Sequence, residues 1–93
     1  MKKLYKFEVD FGRQGSLDGL FVSNESDFNM IIGKNVYFGE ALGKHSDVEE
    51  VMTKEMFEVI ELPDEVLDIL EEKIGTTLSG FNPVDLLLEQ EEE

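Results

Sequence analysis

Cysteine and tryptophan are absent from these 93 residues, arginine and histidine occur once each (Arg13, His45), and Lys+Arg number only 8. Each shortage closes off a class of function. Without cysteine there is no disulfide framework, no thiolate metal site and no Cys nucleophile. A single histidine excludes a multi-His metal centre. Eight cations against 22 Asp+Glu leave a net charge of −14, which argues against a direct grip on DNA, RNA or an anionic membrane. No apolar run approaches the roughly 18–20 residues of a membrane helix. Met1-Lys2-Lys3 leads into an alternating strand pattern rather than the apolar core of a secretory signal. The expectation is a cytoplasmic chain of one domain, without cofactor or metal, near the small end of what folds unaided.

What the chain has in excess is acid, and it is unevenly placed. Residues 1–46 carry six cations and six acids, whereas residues 47–93 carry Lys54, Lys73 and 16 acids. Every uncompensated charge therefore belongs to the second half. Such asymmetry points to an interacting face, although acidic helix faces also serve solubility alone.

Hydrophobic spacing predicts an α+β domain with the order ββαβ(β)βα(β)α, a small, mostly antiparallel sheet packed by two or three helices. Tyr5, Phe7, Val9 and Phe11 alternate with Lys6, Glu8 and Asp10 as a half-buried strand. Gly12–Ser16 is a turn, and Leu17–Val22 returns as its hairpin partner, with Gly19 marking a bulge or a close backbone approach. Ser23 is placed to cap a helix over 24–32 that Gly33 stops. Val36–Phe38, Val48–Met52, Met56–Leu62 and Thr77–Phe81 read as further strands, and Gly39–Ser46 as a loop. Pro63 at a first helical position and Gly75 bracket the clearest helix, with Val66, Leu67, Leu70 and Ile74 on one face, joined by Ile69. Asn82-Pro83 caps a last helix through Leu88, after which Glu89–Glu93 form an acidic tail expected to fray, leaving 1–88 as the domain. The aromatic set Tyr5, Phe7, Phe11, Phe21, Phe28, Tyr37 and Phe38 reads as core, because a base-stacking platform needs cations around it.

Two constellations remain. Glu61, Glu65, Asp68 and Glu72 recur at spacings of four, three and four, along one outward stripe of the predicted helix. Glu71 lies beside them, and Glu49, Glu50 and Glu58 come from the preceding segment. Like charges at these spacings cost helix stability, acids near the helix C-terminus oppose its dipole, and only Lys73 compensates. The stripe is therefore not arranged for the helix's own benefit. Carboxylates about one turn apart, roughly 5–6 Å, approximate the phosphate spacing of a nucleic-acid strand. The second constellation gathers the rare cations: Arg13 and Ser16 in one Gly-flanked loop, Lys44, His45 and Ser46 in another. If they converge, they offer the parts of a small-anion site, but no phosphate-loop spacing accompanies them. Nothing reads as catalytic. His45 and Ser46 are adjacent, so their side chains diverge, and Ser16 lacks a nucleophile elbow.

The stretch Val36–Asp47, the opening Tyr5-Lys6-Phe7 to Leu20-Phe21-Val22, and the turn Ser79-Gly80-Phe81-Asn82-Pro83 resemble small acidic phage-encoded proteins of the host-defence-inhibitor kind. That resemblance implies an inhibitor that mimics DNA, acts in the host cytoplasm and blocks a restriction, CRISPR or other DNA-handling enzyme. It carries over no functional residue. The expected function is non-enzymatic: capture of a basic, nucleic-acid-binding protein through Glu49, Glu50, Glu58, Glu61, Glu65, Asp68, Glu71 and Glu72. The alternative is sequestration of an anionic small molecule by Arg13, Ser16, Lys44, His45 and Ser46.

Overall fold

The computed structural model describes residues 2–39 and 47–91, with side chains at all of these except Gln14 and Glu91. In chain order the elements are β1 (Lys2–Asp10), β2 (Ser16–Asn24), α1 (Glu25–Ile31), β3 (Asn35–Gly39), β4 (Val48–Val51), β5 (Phe57–Ile60), α2 (Asp64–Lys73), β6 (Thr77–Gly80) and α3 (Pro83–Glu91). One-turn 3-10 helices at Gly12–Gln14 and Lys54–Met56 join β1 to β2 and precede β5. The α+β class holds, with both optional strands present. All strand pairs are antiparallel, in a four-stranded sheet of order β5-β1-β2-β6 and a separate ribbon β3-β4.

The β1–β2 hairpin is the centre of the molecule and registers nine residue pairs, from Lys2↔Asn24 to Asp10↔Ser16. That length corrects the expected cap of α1. Ser23 pairs with Lys3 inside the ladder, so Asn24 stands at the N-cap position and the Ser23 hydroxyl donates to the Asn24 carbonyl instead. The Lys3 ammonium pairs with Glu25 at 2.7 Å and ties the start of α1 to the sheet.

Strand alternation divides the side chains of this sheet between two layers. Tyr5, Phe7, Leu17 and Phe21 face inward, against Phe28 and Ile31 of α1, Val36 and Phe38 of β3, Val48, Met52, and Val84 and Leu87 of α3. Tyr5 stacks on Phe28 with ring centroids 4.1 Å apart, and Phe7 on Phe38 at 5.7 Å. The aromatic set is thus core, with Tyr37 as the exception. It lies between buried Val36 and Phe38 on β3, so the two-residue period turns it to solvent. On the opposite face Leu4 and Val22 meet Leu67 of α2, with Leu20, Ile60, Leu62 and Leu78 half-buried around them. Beyond that patch the outer face is polar, with Lys6, Glu8, Asp18 and Glu58 exposed.

Gly19 is explained by a close approach. A Cβ there would overlap the Phe81 carbonyl, and one at Gly80, where φ is +63°, would overlap the Asp18 carbonyl. Phe81 N–H donates to that same Asp18 oxygen at 2.9 Å, beside a register shift at Leu20/Phe21.

Pro63 is the N-cap of α2 rather than its first residue: its ψ of 147° is extended, while its carbonyl accepts from Val66 and Leu67 N–H. Asn82 caps α3 as expected, its Oδ1 accepting from Val84 and Asp85 N–H at 3.1 and 3.3 Å. The helix does not fray at Glu89. Gln90 pairs its side-chain amide with both backbone groups of Tyr37, donating to the carbonyl at 2.7 Å and accepting from the N–H at 3.3 Å. That pairing holds α3 as far as Glu91 and satisfies the outer edge of β3.

Candidate interaction surface

The eight acids singled out by sequence fall into two layers. Glu49 and Glu50 belong to β4, in the ribbon that packs on the inner side of the sheet. There Glu49 accepts from the Asn35 side-chain amide at 3.1 Å, and Glu50 accepts from Val51 N–H at 3.2 Å. Of the other six, Glu58 lies on β5, Glu61 on the link that follows it, and Glu65, Asp68, Glu71 and Glu72 on α2. Glu58 registers opposite Lys6, two residues from Ile60 of the outer apolar patch. Glu61 is exposed on the link into α2, and Glu65, Asp68 and Glu72 are exposed along the helix. An outward stripe therefore exists on α2 as Glu65, Asp68 and Glu72. Glu61, however, precedes Pro63 and lies off the helix, where its charge helps hold the Lys3 ammonium, and Glu49 and Glu50 lie with β4 on the far side of the sheet.

Charge compensation also differs from the expectation that Lys73 acts alone. Lys2, at the start of β1, reaches Glu71 at 2.5 Å and Asp68 at 3.7 Å. The hydrogen bond to Glu71, with the charges of Glu71 and Asp68 behind it, holds the Lys2 ammonium above its ordinary pKa. Residues 2 and 4 share a strand face, so the contact that seats Leu67 on Leu4 also brings the neighbouring helix acids over Lys2. Glu61, Glu65 and Glu72 make no ion pair among the described residues, and neither does Lys73.

The apolar face of α2 is the largest departure from expectation. Of Val66, Leu67, Ile69, Leu70 and Ile74, only Leu67 is buried, at 1% exposure. Leu70 is half-buried, while Val66, Ile69 and Ile74 are 38%, 56% and 59% exposed. The cause is angular. Leu67 and Ile69 are two residues apart, about 200° around a helix, so a helix lying on one sheet face cannot bury both. That spacing was the available signal, since Val66, Leu67, Ile69 and Leu70 in a ten-residue helix span a wider arc than one sheet covers.

The second constellation gains little from the geometry. Lys44, His45 and Ser46 lie outside the described residues, as does the expected loop beyond Gly39. Arg13 and Ser16 are exposed in the β1–β2 connection, but that turn spends its backbone donors on itself. Phe11 N–H bonds the Gly15 carbonyl, Gly15 N–H the Gly12 carbonyl, and Gly12 N–H the Asp10 carboxylate. A carboxylate already occupies the N–H that an anion would take.

Clefts among the described residues are shallow. One of about 330 Å³ opens between β5 and α1, lined by Tyr5, Phe28, Phe57 and Val59, with Lys3 and Glu25 at its rim already paired to each other. The described residues hold no grouping of acids and histidine able to cage a metal ion. None of their helices is long and apolar enough to cross a membrane. In comparison with known proteins, the chain matches no family model, no curated protein and no solved structure.

Proposed function

We propose that this chain is a non-enzymatic acidic interaction protein that captures and inhibits a basic, nucleic-acid-binding protein through its outer acidic surface, centred on α2. The observation that carries the proposal is the row Glu61, Glu65 and Glu72, exposed and without ion pairs among the described residues, in a chain of net charge −14. Unpaired like charges on one small helix cost stability, and a partner's Lys and Arg recover that cost on binding. Glu58 and Asp68 border the row, while Glu71 serves mainly to hold Lys2. Glu49 and Glu50 lie outside the interface. Glu65, Asp68 and Glu72, three and four residues apart along α2, suit a groove built for phosphates. The resemblance to phage host-defence inhibitors adds a host DNA-handling enzyme as the partner and the host cytoplasm as the place.

The test replaces the unpaired acids and spares the Lys2 contacts. Immobilised wild-type chain and E61K/E65K/E72K are offered a bacterial lysate at low and at high salt, and retained proteins are identified by mass spectrometry. Nucleic-acid-binding proteins held by the wild type, released by salt and absent from the variant are the expected result. Retention by the folded variant would end the proposal.

A further inference from the structure

We propose that α2 docks one amphipathic basic helix of the partner, in a short two-helix seam formed by Val66, Ile69 and the aliphatic stem of Lys73. This deepens the function proposed above and rests on it. Positions 66, 69 and 73 follow the i, i+3, i+7 spacing by which one helix packs along another, with Glu65 and Glu72 preceding the first and last of them in the place where a heptad carries its partner-selecting charges. All five residues are exposed. Ile69 lies nearly opposite Leu67, the residue that anchors the helix, so the seam faces away from the sheet.

A second helix laid along this outward face would cover Val66 and Ile69, which the chain leaves 38% and 56% exposed.

Charge selects the occupant. A second copy of this chain would set Glu65 and Glu72 against their own counterparts and bring two bodies of charge −14 together. A helix with Lys or Arg flanking an apolar stripe meets Glu65 and Glu72, which no other described side chain neutralises. Asp68 and Glu71 point towards Lys2 and are not needed. Lys73, at the C-terminal end of the seam, contributes its stem and turns its charge to water.

The probe is a synthetic heptad peptide with Leu at the a and d positions and Lys at e and g, titrated against the full chain by fluorescence anisotropy. A scrambled peptide of identical composition and a Leu/Glu heptad serve as controls. The Leu/Lys heptad should bind about tenfold or more tightly than the scrambled peptide, and V66Q/I69Q should abolish that advantage while its circular dichroism stays unchanged. Amide shifts on titration should map to α2. Equal binding of the scrambled peptide would overturn helix docking and leave the acidic-surface proposal standing. Failure of both basic peptides would overturn both, and so would preference for the Leu/Glu heptad. Concentration-dependent dimerisation lost in V66Q/I69Q would also overturn the proposal, by giving the seam to a second copy.

Discussion

At the scale of residues, two glycines and one ion pair carry the sharpest expectations. Gly19 and Gly80 let β2 and β6 approach where the Asp18 and Phe81 carbonyls leave no room for a methyl group. Gly19→Ala should cost about 2–3 kcal/mol in urea denaturation, because the obstructing atoms are backbone and cannot swing aside. The Lys3–Glu25 pair responds to pH from both sides. The hydrogen bond between them, with the Coulomb attraction behind it, holds the Glu25 carboxyl below the usual carboxylate range and the Lys3 ammonium above its ordinary value. A lowered carboxyl pKa gives stability that is whole above the unfolded value and is lost as pH falls through the folded one. The raised lysine pKa gives stability that is lost only as pH rises through it in alkali. The stability difference between wild type and Glu25→Gln should therefore be present at neutral pH and vanish in acid, in denaturation curves taken across pH.

At the scale of elements, the strands and the Asn82 cap were largely legible, while the starts of α1 and α2 and the seating of α2 were not. Tyr5 to Asp10 alternates cleanly, Asn82-Pro83 is a strong helix opening, and Gly19 announced its close approach, so each was readable from local chemistry. The extra residues of β2 through Asn24 were hidden because Ser23 suits a cap as well as a strand, and only the nine-pair register decides between them. In α2 the apolar residues were visible, but which of them meets the sheet depends on Leu4 and Val22, far away in sequence. Leu67→Ala should cost about 2–3 kcal/mol, since it is the one fully buried contact of α2. Val66→Gln and Ile69→Gln should change stability by less than about 0.5 kcal/mol. Equal losses at all three positions in urea titrations would contradict the seating described here.

At the scale of the whole molecule, charge governs both stability and partner choice. A −14 chain repels itself in the folded state, so added salt should raise the Tm, the screening of self-repulsion outweighing the weakening of a few exposed ion pairs. The half-by-half charge count assigns 16 of the 22 acids to the second half. It could not show that Glu49 and Glu50 lie on the other side of the sheet, nor that Lys2 from the neutral half reaches across to Glu71, because both follow from strand pairing rather than sequence distance. The exposed face without ion pairs is smaller: Glu61, Glu65 and Glu72 beside exposed Val66 and Ile69. The most direct test of that face is salt-graded retention of bacterial nucleic-acid-binding proteins on wild type and on E61K/E65K/E72K, quantified by mass spectrometry. Retention by the wild type that falls steeply with salt and is lost in the folded variant is the predicted result; the same proteins held equally by both, at every salt concentration, would contradict it.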